Sequence, residues 1–295
     1  MFHYVFLDPQ TINEASDAGE MGLGRLIELL NGFRRDVLIA DTDAWRLDAE
    51  IREAVLKIPA QFQTERKQIQ ELLMSLKLSG PYVLLEGDDQ SLSLIDFIRG
   101  QASHFNLDLI LSPQSFEVPA KADWEKSNLS NFHCSKLALK RNGLMAGRNY
   151  KPSEKSFQQV SVECFSKLVR YADVVRILDY ALGEYYSGDH AVNLKRFVRF
   201  LRDHAKHLKS LEIYTMSGAK KSIQSDVSYL QNEVDFKIEI TFRQSKDELP
   251  HPRYLGADKR YLDIDRGIDL CDARDRCRLT QIKYASRPVV CISTM

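Results

Sequence analysis

The sequence has no long hydrophobic run. None of its apolar stretches approaches the roughly 20 residues that a membrane-spanning helix needs, so we expect no transmembrane segment. The first residues, MFHYVFLDPQ, lack the basic start and long apolar core of a secretory signal, and we expect none.

Cysteines are few and scattered. The sequence has five, at positions 134, 164, 271, 277 and 291, and no two of them have Cys-x-x-Cys spacing. The pattern therefore indicates neither a zinc knuckle nor a disulfide framework. A reducing compartment fits this cysteine usage, which predicts a cytoplasmic location.

Several common catalytic and nucleotide-binding motifs are also missing. Gly19, Gly22 and Gly24 do not form a Gly-x-Gly-x-x-Gly turn between a strand and a helix, so dinucleotide binding is unsupported. No phosphate-binding lysine loop, nucleophile elbow or His-Glu-x-x-His pair is present.

Charge is balanced overall but unevenly distributed. Residues 1–150 hold 16 basic and 21 acidic side chains, whereas the rest of the chain holds 25 basic and 20 acidic ones. This asymmetry suits a metal-binding domain joined to a polyanion-binding domain, or two surfaces that attract each other.

Short apolar strands alternate with helices along the chain, which predicts the α/β class. In the first half, the strands are predicted at 4–7, 37–40, 82–85 and 107–111. Continuous apolar strands separated by helices indicate a parallel sheet covered on both faces. The pattern weakens over 121–155, where Asn, Ser, Gly and Lys accumulate. We therefore predict two domains, 1–150 and 151–295.

Acidic residues follow three of the predicted strands in the first half: Asp8, the Asp41/Asp43 pair and the Glu86/Asp88/Asp89 cluster. Carboxyl ends of parallel strands meet at one edge of a sheet, and carboxylates gathered there repel one another unless a divalent cation neutralises them. The pattern predicts a Mg²⁺ or Mn²⁺ site suited to phosphodiester hydrolysis.

The segments Val-Phe-Leu-Asp, Leu-Glu-Gly-Asp-Asp-Gln-Ser-Leu and Leu-Ile-Leu-Ser-Pro-Gln-Ser-Phe resemble those of PIN-like nuclease domains. The resemblance implies a Rossmann-like parallel sheet with Asp8 as the first metal ligand and Asp88 or Asp89 as the last. Glu50, or Glu71, would fill the middle positions. Gln10 stands where the family usually has Asn. The alternative is a Rossmann-like domain without catalysis.

In the second half, His251, Arg253 and Asp258 have the spacing His-x-Arg-x4-Asp. On a strand, residues 251 and 253 would share a face. An imidazole beside a fixed cation suits attack on phosphorus, and a carboxylate can fix the tautomer of the imidazole. The amphipathic segment 193–208 is either a basic phosphate-binding surface or a solvated helix face.

This stretch resembles the phospholipase D superfamily, and its layout is most similar to the phospholipase-D-like domain found C-terminal to MIT domains. The resemblance rests on Ile-Leu-Asp-Tyr, Leu-Glu-Ile-Tyr-Thr, the His motif and Asp265-Arg-Gly-Ile-Asp, in that order. It implies an α/β domain whose site needs no cofactor. It also places Asp179 and Arg266 beside the motif, where they are either site residues or an ordinary ion pair.

Two departures from the superfamily bear on activity. Arg253 replaces Lys, a planar fork in place of a point charge. The motif occurs once, whereas the catalytic centres of the family pair two copies, which a homodimer could supply. The resemblances imply an intracellular phosphodiesterase, specifically a nuclease acting on DNA or RNA in bacterial defence or nucleic-acid quality control. The alternative is a non-catalytic module that binds nucleic acid or phosphate-bearing headgroups.

Overall fold

The computed structural model describes residues 2–42, 47–78, 83–84, 92–144, 147–245, 248–249 and 251–285. The chain divides into two compact units, Phe2–Leu144 and Met145–Met295. The division falls slightly before the predicted boundary at 150, because a short strand at 148–150 pairs within the second unit. None of the helices in the described ranges is long and apolar enough to cross a membrane.

The first unit alternates helices and strands. Its elements are β1 (His3–Leu7), α1 (Pro9–Asp17), α2 (Gly19–Phe33), β2 (Val37–Asp41), α3 (Leu47–Leu56), α4 (Gln63–Leu78), β3 (Val83–Leu84), α5 (Leu94–Gln101), β4 (Leu109–Leu111), β5 (Glu125–Ser127) and α6 (Lys136–Leu144).

Its five strands form one sheet in the order β3-β2-β1-β4-β5, and every neighbouring pair is parallel. The predicted parallel sheet is therefore confirmed. The direction of strand order reverses at β1, because the chain builds outward through β2 and β3 and then returns to add β4 on the other side. Ligands of open parallel sheets bind at such a reversal, beyond the carboxyl ends of the strands.

Burial explains why these segments form strands and helices. All five residues of β1 are buried, as expected of a central strand covered on both faces. On α2, Leu23, Leu26, Leu30 and Phe33 are completely buried, a spacing of three and four residues that turns one helix face to the core.

The second unit contains a larger sheet. Its elements are β6 (Arg148–Tyr150), α7 (Phe157–Val169), β7 (Val174–Leu178), α8 (Tyr180–Glu184), α9 (Gly188–His204), β8 (Ser210–Met216), α10 (Lys220–Gln231), β9 (Lys237–Arg243), β10 (Tyr254–Ala257), β11 (Arg260–Ile264) and β12 (Thr280–Ala285).

The seven strands have the order β6-β12-β11-β10-β7-β8-β9. The pairs β7–β8 and β8–β9 are parallel and the others are antiparallel, so the sheet is mixed. Strand β7 is the junction, with parallel β8 on one side and antiparallel β10 on the other. Tyr254 pairs with Leu178 and Ala257 with Val175, so the start of β10 lies beside the carboxyl end of β7.

Candidate functional site

Asp8 lies at the point where the strand order of the first sheet reverses. It follows β1 and is buried, with 4% of its surface exposed. Its Oδ1 accepts a hydrogen bond from the backbone N–H of Gln10 at 2.9 Å, which caps α1. Its Oδ2 accepts from the Ser112 hydroxyl at 2.5 Å and lies 3.4 Å from the Gln114 amide nitrogen. Residues that follow β1 and β4 therefore fix the position of the Asp8 carboxylate.

A cavity of about 160 Å³ opens beside Asp8. Glu50 on α3 and the first turn of α5 also line it. Burial, followed by the nearby Asp8 carboxylate, raises the pKa of Glu50. The structure therefore brings together two of the four predicted metal ligands at one cavity.

The remaining acidic candidates of the first unit either do not line that cavity or lie outside the described residues. Asp88 and Asp89 lie outside the described residues, as do Asp43 and Glu86. Glu71 is exposed on α4 and pairs with Lys67. Asp41 is buried and accepts from the N–H of Thr42 at 2.7 Å. Within the described ranges, no group of three or more His, Cys, Asp or Glu side chains is arranged to hold a metal ion.

Two cations lie against one aromatic ring near this cavity. The Arg99 guanidinium is 4.9 Å and the Lys126 ammonium 5.5 Å from the centre of the Phe116 ring. Arg99 also pairs with Asp96 at 3.0 Å. Arg99 stands four residues after Ile95, which lines the cavity, so it extends the same face of α5 by about one turn.

In the second unit, Asp179 and Arg253 form an ion pair at the carboxyl end of β7. Asp179 is 1% exposed, and its Oδ1 caps α8 by accepting from the N–H groups of Ala181 and Leu182. Arg253 Nε lies 3.4 Å from the same oxygen, and Nη1 donates to the carbonyl of Asp265 at 2.5 Å. The guanidinium is therefore held by two contacts, one with Asp179 and one with Asp265.

Tyr180 joins Arg253 to His251. The guanidinium carbon of Arg253 is 5.3 Å from the centre of the Tyr180 ring, and the imidazole of His251 is 5.9 Å from it. His251 is exposed and precedes β10, so the expected strand at this position begins later, at Tyr254. The prediction that a strand turns both side chains to one face does not apply, because neither residue lies in a strand; both contact the Tyr180 ring.

Gly267, in the connection between β11 and β12, lies close to Asp179 and Arg253. Its φ is +61°, and a Cβ there would overlap Asp179 Oδ2 and lie 3.0 Å from Arg253 Cδ. Only glycine fits both the backbone conformation and the space. Arg266, the predicted site residue next to it, donates to the carbonyl of Leu279 at 2.9 Å.

Asp258 is not part of this site. It occupies the two-residue turn between β10 and β11 with φ +50°, at the other end of β10 from Arg253. Its Oδ1 accepts from the N–H of Val174 at the start of β7. Asp258 is five residues after Arg253, and five residues of extended chain span roughly 16 Å. The Asp258 carboxylate therefore cannot set the tautomer of His251. Its observed contacts stabilise the turn.

The electrostatics of Asp179 combine opposing effects. Burial raises the pKa of Asp179, while Arg253, the α8 amides and His190 act in the opposite direction. His190 is in the first turn of α9 and bonds through Nδ1 with the Ser187 hydroxyl at 2.9 Å.

Sequence reasoning missed several of these residues. Ser112 and Gln114 follow a predicted strand and could have been identified as partners of Asp8 on that ground. Tyr180 directly follows Asp179, but nothing in the sequence indicates that its ring contacts residues more than 70 positions later. His190 has no sequence signal that we recognise.

Comparison with known proteins gives no further assignment: no protein-family model matches the chain, and no curated protein matches it.

Proposed function

We propose that the first unit is a PIN-like domain that hydrolyses phosphodiester bonds with the help of a divalent cation held by Asp8 and Glu50. The observation that carries the proposal is the meeting of these two carboxylates at one cavity, at the reversal point of a parallel sheet. Asp8 follows the central strand and Glu50 comes from a separate helix, so the pair is built by the fold.

The donor set suits Mg²⁺ or Mn²⁺. Both ions prefer oxygen ligands, and Mg²⁺ commonly takes one or two carboxylates and completes its shell with water and substrate phosphate. Burial and then the Asp8 carboxylate raise the pKa of Glu50, and a bound cation would relieve the repulsion between the two carboxylates. Asp88 and Asp89 follow β3 in the sequence and remain candidate ligands.

A bound cation would neutralise charge on the phosphate and activate water. The residues of the chain hold the site in place: Ser112 and Gln114 orient the Asp8 carboxylate. Loss of a residue that orients a metal ligand typically lowers metal affinity or activity by 10–100-fold.

A nucleic-acid substrate is favoured by the cations beside the cavity. Lys126, and Arg99 one helical turn beyond the cavity-lining Ile95, would offer positive charge to phosphates of a bound strand. We therefore propose DNA or RNA as the substrate class.

The second unit supports a different candidate function, phosphate binding without cleavage by a phospholipase-D-like domain. Asp258 is remote from His251, and Arg253 is already held by Asp179 and Asp265. The exposed His251 and the held Arg253 contact the same Tyr180 ring, and we propose that they bind a phosphate there without cleaving it. A homodimer that pairs two copies of His251 and a cytoplasmic role in bacterial defence also remain proposals.

Cleavage assays separate these functions. The purified chain is incubated with single- and double-stranded DNA and RNA in Mg²⁺, Mn²⁺ or EDTA. We expect cleavage that needs the metal and that falls by roughly 100-fold or more in Asp8→Asn and Glu50→Gln. Glu71→Gln is the matched control, since this exposed glutamate lies away from the cavity, and it should keep full activity.

The His251→Ala variant reports on the second unit. We expect it to cleave like wild type but to bind nucleic acid more weakly at low salt. Cleavage that survives EDTA and disappears in His251→Ala would refute the proposal and assign catalysis to the second unit. Metal-dependent cleavage that Asp8→Asn leaves intact would also refute it.

A further inference from the structure

Cys271 and Cys277 lie directly opposite each other across a tight antiparallel turn between β11 and β12. The hydrogen bonds on either side of the pair run from Asp272 N to Arg276 O at 3.1 Å and from Arg278 N to Leu270 O at 2.9 Å. This pattern defines a non-hydrogen-bonded pair, in which the two Cα atoms are about 4.5 Å apart and the side chains face each other closely. Disulfides span Cα separations of about 4.4–6.8 Å.

Both thiols are free and buried. Burial, together with the adjacent Cys277 thiol, raises the pKa of Cys271 to about 12. Thiols of this kind are protonated at neutral pH and react slowly, through transient opening of the turn. The other described cysteines are placed differently: Cys164 bonds with the Tyr150 hydroxyl at 2.9 Å, and Cys134 is exposed.

We propose that Cys271 and Cys277 form a dithiol exchange site whose co-reactant is a low-molecular-weight disulfide such as oxidised glutathione. The thiolate of one cysteine attacks a sulfur of the small disulfide and releases one small thiol. The thiol of the second cysteine then displaces the other small thiol, which leaves the Cys271–Cys277 disulfide. Two electrons pass to the small disulfide, and two small thiols are formed.

The position of the pair gives the bond a structural consequence. The Asn193 amide donates to the carbonyl of Cys271 at 2.6 Å and to Asp269 at 3.2 Å. Arg278, next to Cys277, pairs with Asp269 at 3.1 Å and with Asp189. The disulfide would cross-link the two sides of this turn. The turn belongs to the β11–β12 connection, which also supplies Asp265 and Gly267 to the Arg253 site.

Redox titration of the whole protein tests the proposal. The native chain is equilibrated in mixtures of reduced and oxidised glutathione, acid-quenched, alkylated and digested with trypsin. Because Arg274 and Arg276 separate the two cysteines, the disulfide joins two tryptic peptides, 267–274 and 277–278, into one detectable product. A synthetic peptide of residues 267–278 is titrated in parallel.

We expect the disulfide to form in the native chain at an oxidised-glutathione level about tenfold or more below that needed by the peptide, because the fold holds the pair together. Cys134→Ser should leave the titration unchanged. A native pair that oxidises no more readily than the peptide would overturn the proposal. So would a product that links either residue to Cys164 or leaves it joined to glutathione.

Hydrogen exchange gives a second readout. Amides of 265–278 should exchange several-fold more slowly in the oxidised chain, because the cross-link restricts local opening. Equal exchange in the two forms would contradict the proposed anchoring.

Discussion

Gly267 combines a steric constraint with a left-handed backbone conformation at the Arg253 site. A methyl group there would overlap the Asp179 carboxylate and lie 2.7 Å from its Cγ, in a left-handed backbone conformation. We expect Gly267→Ala to destabilise the second unit by about 2–4 kcal/mol, since overpacking and a positive φ both cost free energy. Chemical denaturation followed by circular dichroism measures the change.

The control for this substitution is Gly188→Ala. Gly188 begins α9, and a Cβ there meets no atom within 4 Å. Its effect should stay within about 0.5 kcal/mol. Equal losses of stability in the two variants would show that the contact with Asp179 is not the cause.

The electrostatic interaction between Asp8 and Glu50 can be tested without metal. Since burial and then Asp8 raise the pKa of Glu50, Asp8→Asn should lower that pKa and leave the part that burial causes. Carbon-detected NMR titration of the Glu50 carboxyl in EDTA measures it. An unchanged pKa in Asp8→Asn would mean that the two carboxylates do not interact.

At the scale of elements, α7 depends on a reciprocal cap. The Ser156 hydroxyl accepts from the N–H of Gln159, and the Gln159 side chain accepts from the N–H of Ser156. Ser156→Ala should cost about 1 kcal/mol of unfolding free energy. Ser166→Ala on the exposed side of the same helix should cost less, because its hydroxyl bonds only the carbonyl of Val162. Reversal of this order in urea denaturation would contradict the assignment.

The elements that could be predicted from the sequence are those with strong apolar patterns. The predictions 4–7 and 37–40 match β1 and β2 within one residue at each end, because both strands are almost continuously apolar. Helix α7 was missed although Ser-x-x-Gln at 156–159 is a recognisable start signal. Strands β5 and β6 have three residues each and little apolar character, so only pairing with β4 and β12 defines them.

The candidate sites were predictable to different degrees. Asp8 could be placed because it ends an apolar strand, and Glu50 only through resemblance. Asp258 was expected beside His251, but sequence spacing does not reveal that the chain reverses at Asp258-Lys259, which sends the carboxylate to the far end of β10. Cys271 and Cys277 meet for the same reason, through a turn that their spacing does not indicate.

At the scale of the whole molecule, each unit has its own sheet, so we expect two unfolding transitions. Both tryptophans, Trp45 and Trp124, belong to the first unit, and tryptophan fluorescence therefore reports on that unit alone. Mn²⁺ at 100 times its Kd should stabilise this fluorescence transition by about 2.7 kcal/mol. It should leave the transition of the second unit, followed by circular dichroism, unchanged. A shift of the second transition alone would place the cation in the other unit.

The central claim is that Asp8 and Glu50 together hold a divalent cation. The most direct measurement is Mn²⁺ binding followed by electron paramagnetic resonance, with wild type, Asp8→Asn, Glu50→Gln and the control Glu71→Gln. The account predicts one Mn²⁺ site in wild type and in Glu71→Gln, with affinity lowered roughly tenfold or more when either Asp8 or Glu50 loses its charge. Equal binding by all four proteins, or none by wild type, would contradict it.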